Sequence, residues 1–489
     1  MASFYIENFG CRATQADGAA LESQFLERGL ERARAARDAE IVVLNTCTVT
    51  EGADKDARAS IRRVRRENPD CRILVTGCYA QRAPEELAAL PGVTWVVGNS
   101  HKHLAAEIAT SSASSNSGFV PLAQLSGERD GNVIVGDIFA HTELLAAPVF
   151  EAANERTRPN LKVQDGCDNR CSFCVIPYVR GQSRSLPLER VLIEVRSLVD
   201  AGYREVVVSG INLGRWGRDL QGSRQHSALS IQPSRHRFKE LVRAILEETS
   251  LEKLRISSVE PMDWSDELIE MMATSPRIAK HAHVPLQSGS DAVLRRMHRK
   301  YRPWHYQEKV LKIRKAMPTA AIGADVMVGF PGETETEFAE TKRMIEELPF
   351  TYLHVFTYSA RPGTPAAERS DQVPVTVARE RNRVLREIAA HKKAAFLRSQ
   401  VGANVQAITL RSEEGNFTEA LTDHYLKMKI PGPWEANRWI EVKVERCDGE
   451  VLVGSPCLSR PDQPSGKTEV TFRNTQKSNK IIDLQPLAG

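Results

Sequence analysis

Three cysteines stand within eight positions of the segment GCDNRCSFCVIPYVRG, which covers residues 166–181. Three residues separate Cys167 from Cys171, and two separate Cys171 from Cys174, so one short loop can place three thiolates at adjacent corners of a metal centre. Structural zinc normally takes a fourth protein ligand, and no His or Cys follows close by. A 4Fe-4S cluster held by three cysteines leaves one iron open for another ligand. The spacing favours such a cluster, with structural zinc as the alternative.

Three further cysteines each follow a strand-like segment near the N-terminus: SFYIENFGC, EIVVLNTC and RILVTGC. These segments alternate with helix-like stretches such as ADGAALESQFLERGLERA, and this order predicts a small parallel sheet. Parallel strands finish at one edge, which is where open α/β sheets bind their ligands. We therefore expect Cys11, Cys47 and Cys78 to converge. The remaining cysteines are assigned to packing: Cys71, Cys447 and Cys457.

A second α/β series follows, with the candidate strands LKVQDG, EVVVSG, LRISSVE, HAHVPLQ, IGADVMVGF and YLHVFTYS. Helical patterns lie between them, so the series predicts a TIM-type barrel or part of one. Residues 216–237 interrupt the rhythm and are expected to form an exposed loop. From about residue 398, short strand-like pieces broken by Gly, Asn and Pro predict a small β-barrel.

The length of 489 residues also indicates several domains in an α/β chain. The predicted parts are a flavodoxin-like parallel-sheet domain at 1–108, a linker at 109–155 with a Ser-rich run at 111–118, a partial barrel at 156–396, a small β-barrel at 397–459 and a polar tail at 460–489. No apolar run approaches a membrane span, and the start MASFYIENFG lacks a signal or transit pattern. Nine cysteines without a disulfide framework fit a reducing compartment, so we expect a cytoplasmic protein that does not contact membranes.

The segment CDNRCSFC resembles the CxxxCx(aromatic)C signature of radical S-adenosylmethionine (SAM) enzymes. VVVSGINLG, RISSVEP, HVPLQSGSDAVLRRMHR, DVMVGFPGE and FTYSARPGTPAA are similar to the methylthiotransferase branch of that family, and with the strand-end cysteines the resemblance covers about the first 455 residues. It implies that an open iron binds SAM, whose reductive cleavage yields a 5'-deoxyadenosyl radical. It also implies a second 4Fe-4S cluster on Cys11, Cys47 and Cys78, which carries the sulfur to be transferred, and the use of two SAM per turnover.

The same resemblance implies which residues contact SAM. Phe173 would flank the adenine, and Ser209 and Gly210 would receive the methionine end. Polar groups at later strand ends are candidates for SAM or substrate contact: Ser258, Glu260, Gln287 and Asp325. Each could instead be a satisfied core or capping residue. Arg180 is a catalytic-site candidate that would hold a phosphate or a substrate carboxylate, with a salt bridge at the barrel rim as the alternative.

Within the branch, NFGCRATQAD, NTCTVTEGADKDARASIRR and CDNRCSFCVIPYVRGQSRS are most similar to enzymes that act on threonylcarbamoyl-adenosine beside the tRNA anticodon. This implies insertion of a methylthio group at carbon 2 of that base, which must first leave its stack. Enzymes acting on isopentenyl-adenosine or on a ribosomal-protein aspartate remain alternatives. So do a one-cluster radical SAM enzyme and a non-catalytic RNA-binding protein with structural zinc.

The C-terminal barrel resembles a TRAM domain, an RNA-binding module. The helical stretch before it, from Arg379 to Arg398, carries seven Lys/Arg against two Glu, which is typical of a phosphate-contacting surface or of a solvated helix face. The expected partners are therefore the anticodon stem-loop of tRNA, an electron donor such as flavodoxin or ferredoxin, and an unidentified sulfur donor. We expect the chain to be a monomer.

Overall fold

The computed structural model describes residues 2–111, 132–140, 158–221, 237–410 and 416–457. The first part of the chain is a parallel sheet flanked by helices. Its strands are β1 (Ser3–Asn8), β2 (Glu31–Arg32), β3 (Ile41–Thr46), β4 (Arg72–Gly77), β5 (Val93–Gly98) and β6 (Val133–Ile134). Its helices are α1 (Arg12–Glu27), α2 (Glu51–Glu67), α3 (Cys78–Arg82), α4 (Pro84–Ala88) and α5 (Ala105–Ser111).

The strand order is β2-β1-β3-β4-β5-β6, and every neighbouring pair is parallel. Helices cover both faces, so each residue of the apolar central strand β3 is buried. The strand β6 pairs with β5 although it lies in the predicted linker, so the sheet extends past the predicted boundary at residue 108. Residues 112–118 of the Ser-rich run lie outside the described residues.

The central part is a partial barrel. Its strands are β7 (Asn160–Asp165), β8 (Arg184–Ser185), β9 (Glu205–Gly210), β10 (Lys253–Ile256), β11 (His281–His283), β12 (Ala321–Val328) and β13 (Tyr352–Thr357). Its helices are α6 (Ile176–Arg180), α7 (Leu188–Asp200), α8 (Phe238–Glu248), α9 (Asp266–Thr274), α10 (Asp291–Arg296), α11 (Pro303–Ala316), α12 (Glu335–Glu347) and α13 (Val375–Ser399). The six predicted strands are all present, and the two-residue β8 is an addition.

The partial barrel consists of two parallel sheets, β10-β9-β7 and β11-β12-β13, and β8 is antiparallel at one edge of the first sheet. Parallel bridges between Leu254 and Ile278 and between Ser258 and His283 join the sheets. Side chains alternate along the strands: Leu161 and Val163 pack in the core, whereas Lys162 and Gln164 face the lumen side. Polar groups are therefore grouped inside the curve, as the barrel prediction requires.

The segment at 216–237, predicted to be an exposed loop, begins with two buried residues and is exposed at residues 218 and 219. The Trp216 ring is fully buried, and its Nε1 donates a hydrogen bond to the Leu186 carbonyl at 2.9 Å. Asp219 accepts from the Ser185 backbone at 2.7 Å. The rhythm of strands and helices does not reveal this buried start, because its backbone is irregular and only Trp216 and Leu220 are apolar among residues 216–221. Residues 222–236 lie outside the described residues.

The C-terminal part is a closed barrel in the order β14-β15-β16-β18-β17. Its strands are β14 (Asn404–Thr409), β15 (Phe417–Thr422), β16 (Lys427–Pro431), β17 (Trp439–Asp448) and β18 (Val451–Pro456). Alternate residues such as Met428 and Ile430 fill it, while Lys427 and Lys429 face outward. Closure leaves no free sheet edge in this small domain. The tail predicted at 460–489 lies outside the described residues.

One tyrosine lies where the three parts meet. Tyr425, on the turn between β15 and β16, accepts a hydrogen bond from Arg12 of α1 at 3.1 Å. The guanidinium groups of Arg12, Arg158 and Arg255 lie 5.8, 5.5 and 5.3 Å from its ring centroid. The His281 ring is 5.2 Å away. Because cations are attracted to the face of an aromatic ring, Tyr425 links the small barrel to both other parts.

No helix among the described residues combines the length and the apolar character that crossing a bilayer demands.

Candidate active site

The three N-terminal cysteines lie at one edge of the parallel sheet. Cys47 and Cys78 directly follow β3 and β4, and Cys11 immediately precedes α1. Gly10 has a φ of +89°, and a Cβ there would be 2.8 Å from the Cys47 Sγ, so glycine permits the close approach. Burial and the neighbouring thiols of Cys78 and Cys11 raise the pKa of Cys47 to about 12. The edge thus brings together three crowded thiols, which a bound cation would stabilise as thiolates.

A buried network of charges joins this edge to the partial barrel. Arg180 donates to Asp165 Oδ1 at 2.9 Å and to Asp17 Oδ2 at 3.0 Å. Lys102 donates to Asp17 at 2.9 Å, and Lys162 donates to Asp165 at 2.8 Å. Burial alone would raise the pKa of Asp17, but Lys102, Lys162 and Arg180 outweigh it and hold that pKa well below its usual range. Three cations against two carboxylates leave one net positive charge.

Arg180 lies in this network with only 2% of its surface exposed. It is near enough to the thiols of Cys78 and Cys11 for the charges to interact, and Val179 beside it packs against Cys78. Of the two sequence-based readings, the observed contacts match the ion pair, which is buried between two domains rather than at an open rim. Its guanidinium therefore presents positive charge to the N-terminal cysteines.

The second cysteine group lies on the loop between β7 and α6. Gly166 begins this loop with a φ of +71°, and a Cβ there would be 1.9 Å from the Gln182 carbonyl, so only glycine fits. The Cys174 amide donates to the Cys171 carbonyl at 3.1 Å, which folds the loop into a turn. Asn212 Nδ2 lies 3.4 Å from the Cys167 Sγ. Burial and the neighbouring Cys171 raise the pKa of Cys174 to about 12.

Arg299 supports this loop from the far side of the barrel. Its guanidinium lies 3.5 Å from the Cys171 Sγ and also pairs with the carboxylate of Glu260. The backbone amide of Ser172 donates to the Met297 carbonyl at 3.1 Å, which fixes the loop nearby. Glu260, predicted to contact SAM or substrate, therefore pairs with the guanidinium that contacts the Cys171 thiol.

The two metal hypotheses differ in how far apart they place the sulfur ligands. A mononuclear zinc site has Zn–S distances of about 2.3 Å, which places its sulfurs about 3.8 Å apart. Among the described His, Cys, Asp and Glu residues, neither cysteine trio forms a group whose ligand atoms all lie within 4.8 Å of one another. A cluster of four irons holds its cysteine sulfurs farther apart than a single ion does. A set of three thiols is also the donor set that holds a 4Fe-4S cluster with one iron left open.

Several candidate SAM residues lie at the strand ends beside the second loop. Phe173 packs edge-on against Phe330, with ring centroids 6.3 Å apart. The buried Ser209 Oγ and Gln287 Oε1 have no hydrogen-bond partner within the described parts of the chain. Gln287 also has a φ of +63°, and strained backbone of this kind often occurs at ligand sites. Gly210 packs on Gln164, where a Cβ would be 2.9 Å from Oε1. The orphaned polar atoms fit a bound polar cofactor.

Two other candidates are held by histidines that the sequence analysis did not identify. Ser258 Oγ lies 2.9 Å from His283 Nδ1, and Asp325 Oδ1 lies 3.2 Å from His354 Nδ1. The alternation in the predicted strand HAHVPLQ could have indicated that its histidines share one face. Asp17 and Arg299 were also missed, because the groups that they contact, Arg180 and Cys171, lie 163 and 128 positions away along the chain.

A cleft of about 950 Å³ lies between β13, α13 and the C-terminal barrel. Its aromatic and imidazole side chains include Tyr352, His354, Phe396, His424 and Tyr425. Five basic residues line it against two glutamates, and the basic ones are Arg158, Arg386, Lys393, Lys427 and Lys429. Such a mixture of cations and rings suits phosphates and unstacked bases.

The basic stretch from Arg379 to Arg398 forms most of α13, but much of its charge is already paired. Arg381 is buried against Glu333, and Arg383 pairs with two glutamates of its own helix. Lys393 pairs with Glu450 at 2.7 Å. The described helix α13 therefore does not present one continuous basic face. Among its residues that line the cleft, Arg386 is the one whose charge is unpaired.

Comparisons with known proteins agree with this architecture. A family model described as the uncharacterized protein family UPF0004 matches residues 3–98, and the radical SAM superfamily model matches residues 161–345. The fold is similar to that of a radical SAM methyltransferase, TsrM from Kitasatospora setae, with a TM-score of 0.52, 16% identity and coverage of 75% of each chain. The class of protein is therefore a radical SAM enzyme with an additional N-terminal domain.

Curated relatives narrow the class further. The chain is 38% identical to the threonylcarbamoyladenosine tRNA methylthiotransferase MtaB of Bacillus subtilis, over 88% of this chain and 91% of the relative. It is 34% identical to the tRNA-2-methylthio-N(6)-dimethylallyladenosine synthase of Thermobifida fusca, over 84% of this chain and 78% of the relative. This chain belongs to the radical SAM methylthiotransferase family, in the branch that includes the MtaB proteins.

Proposed function

We propose that this enzyme inserts a methylthio group at carbon 2 of threonylcarbamoyl-adenosine next to the tRNA anticodon. The similarity to the B. subtilis relative supports this base, since that relative is named for it. The observation that carries the proposal is the pair of three-cysteine sites, on two different sheets, joined through the buried network around Arg180. A radical SAM enzyme that carries out one-carbon or redox chemistry without transferring sulfur would need only the second site, which is formed by Cys167, Cys171 and Cys174.

Two 4Fe-4S clusters and SAM fit the donor sets. The cluster that supplies reductive cleavage of SAM would be held by Cys167, Cys171 and Cys174. A second cluster, which carries the transferred sulfur, would be held by Cys11, Cys47 and Cys78. Each turnover would then use two SAM. Around these groups, Phe173, Ser209, Gly210 and Gln287 would line the SAM position at the strand ends.

The protein's own residues would position the two cysteine sites and shield them from water. Arg299 fixes Cys171, and Asn212 fixes Cys167, so the loop keeps its shape while SAM occupies the open side. Arg180 places positive charge beside the thiols of Cys11 and Cys78, where it offsets the negative charge of sulfur ligands. Burial of this network excludes water between the two sites, which protects reactive species from side reactions.

The cleft beside the C-terminal barrel would bind the anticodon stem-loop. Exposed Arg386, Lys427 and Lys429 would contact phosphates, and the rings beside them would stack on bases that leave the loop. The electron donor would be a flavodoxin or ferredoxin, and the sulfur donor is unidentified. The enzyme would act as a cytoplasmic monomer.

Nucleoside mass analysis of tRNA from a strain lacking the gene tests this function. We expect 2-methylthio-threonylcarbamoyl-adenosine to disappear and its unthiolated precursor to accumulate. Reintroduced protein should restore the modification, the Cys47→Ala variant should not, and the matched Cys457→Ala variant should, because Cys457 lies after β18 and away from both sites. Loss of the dimethylallyl analogue alone would instead assign the chain to the activity named for the T. fusca relative.

A further inference from the structure

A compact group of metal-binding side chains lies inside the partial barrel, apart from all six cluster cysteines. His283 on β11, Asp325 on β12 and His354 on β13 offer ligand atoms that all lie within 4.8 Å of one another. Asp325 Oδ1 is 3.3 Å from His283 Nε2 and 3.2 Å from His354 Nδ1. We propose that these three side chains bind one divalent transition-metal ion of the zinc type.

The separations match the coordination geometry of such an ion. Zinc binds imidazole nitrogen and carboxylate oxygen at about 2.0–2.2 Å, so tetrahedral ligand atoms lie about 3.3–3.5 Å apart. The two measured separations at Asp325, 3.3 and 3.2 Å, are close to that value. Two imidazoles and one carboxylate form a donor set that divalent first-row metals accept.

The buried histidine has the environment of a metal ligand. His283 is only 9% exposed, and its Nε2 has no well-formed hydrogen bond within the described parts of the chain. Its other nitrogen, Nδ1, lies 2.9 Å from the Ser258 hydroxyl. When Nδ1 donates its proton to Ser258, the Nε2 lone pair points toward Asp325 and His354. A hydrogen bond at the second ring nitrogen is the usual support of a metal-binding histidine.

The strands hold these groups rigidly on one face. Asp325 and His354 are directly opposite each other in the register of β12 and β13, and His283 is opposite Gly323, two residues before Asp325. Tyr352 packs against both imidazoles, with ring centroids 6.2 and 5.4 Å away. Because the side chain of His354 is 65% exposed and lines the cleft, a fourth coordination position would open toward that space.

Equilibrium dialysis of the iron-reconstituted protein against radioactive zinc tests the site. We expect about one zinc per chain in addition to the cluster iron, with unchanged iron content. His354→Ala should weaken zinc binding at least about 10- to 100-fold, which is the loss that removal of a partner supporting a ligand already causes, and Asp325→Asn by a similar factor, because each removes one of three ligands. The control is His391→Ala, which removes an exposed histidine of α13 outside the group.

X-ray absorption of the zinc-loaded protein separates this site from zinc in a damaged cluster. The proposal predicts a shell of N and O atoms at about 2.0–2.1 Å with imidazole scattering and no sulfur shell at about 2.3 Å. A sulfur shell, failure to bind zinc, or binding equal in His354→Ala and the control would overturn it. This test does not depend on the substrate, so it stands or fails apart from the proposed tRNA modification.

Discussion

At the scale of single residues, Arg180 shows how a side chain can serve two domains. It is the only cation of the described network that bonds to both carboxylates and also interacts with the N-terminal thiols through its charge. The ammonium of Lys162 also bonds to both carboxylates, but the planar guanidinium of Arg180 adds a second nitrogen toward Asp17 and the charge contact with the thiols. Removing it would leave Asp17 and Asp165 buried with less compensation.

We therefore expect Arg180→Gln to lower the free energy of unfolding by about 3–5 kcal/mol, the usual cost of breaking a buried pair by removing one partner. Arg180→Lys should recover part of this loss because it keeps the charge. Denaturant titration followed by circular dichroism measures the difference. Arg295→Gln is the control, since Arg295 pairs with Asp291 on the surface and should change stability by at most about 1 kcal/mol. Equal losses in the Gln variants would contradict the role of the network.

The cysteines could be predicted from the sequence, whereas Arg180's partners could not. Short spacing identifies Cys167, Cys171 and Cys174, and strand ends identify the N-terminal trio, because both signals are local. Asp17 lies 163 positions before Arg180, and no local pattern links them. Likewise, Arg299 reaches Cys171 across 128 positions. Contacts of this kind follow from how the domains pack, which a sequence pattern does not contain.

At the scale of secondary-structure elements, regular strands and helices were predicted well and short or irregular pieces were not. The six predicted barrel strands are marked by apolar runs or alternation, but β6 and β8 have two residues each and carry no such signal. The buried start of the 216–237 segment, at Trp216, is irregular and carries no such signal either. Part of the charge of α13 is neutralised by Glu335 on α12 and by Glu450 in the turn before β18, which the count of basic residues does not reveal.

The cleft beside α13 gives a test at this scale. Replacing Arg386, Lys427 and Lys429 together by Ala should weaken binding of the anticodon stem-loop at least about tenfold. The slope of log K against log salt should fall in magnitude by about two to three, because each lysine or arginine that contacts a phosphate releases about one counterion. Fluorescence anisotropy over a salt series measures both quantities. Lys315→Ala, an exposed lysine of α11 outside the cleft, is the control and should bind like the wild type. An unchanged slope in the triple variant would exclude this surface.

The turn between β15 and β16 predicts a pH effect. Burial holds the pKa of His424 below its usual value. As the pH falls below about 6.5, the unfolded chain gains this proton first, so the folded state loses up to about 1.4 kcal/mol per pH unit from this one group. Above that pH its contribution is constant.

Replacing His424→Gln should therefore flatten the loss of stability between about pH 7.5 and about pH 6.0. Urea unfolding at the two pH values measures the change, and the exposed His391→Gln variant of α13 serves as the control. If both variants keep the pH dependence of the wild type, His424 is not the titrating group.

At the scale of the whole molecule, three domains meet around Tyr425. Three guanidinium groups surround its ring, and each cation–π contact contributes roughly 0.5–2 kcal/mol according to its burial. We expect Tyr425→Ala to weaken the docking of the small barrel and to lower stability by about 2–4 kcal/mol. Tyr425→Phe keeps the ring and loses only the hydrogen bond from Arg12, so its loss should be about 1 kcal/mol.

Limited proteolysis together with denaturant titration checks this expectation. Faster release of a C-terminal fragment from Tyr425→Ala, with Tyr425→Phe close to the wild type, is the predicted pattern. Identical cleavage of all three proteins would show that other contacts, such as the bond from Asn437 to the Gly202 carbonyl, are sufficient to hold the barrel.

The proposed function depends on two cluster sites of three cysteines each, one per sheet. Iron and sulfide analysis after anaerobic reconstitution tests this most directly, with variants that replace one trio at a time by Ala. The account predicts about eight irons per chain for the wild type and about four for either variant. About four irons in the wild type, unchanged when Cys11, Cys47 and Cys78 are replaced, would contradict it.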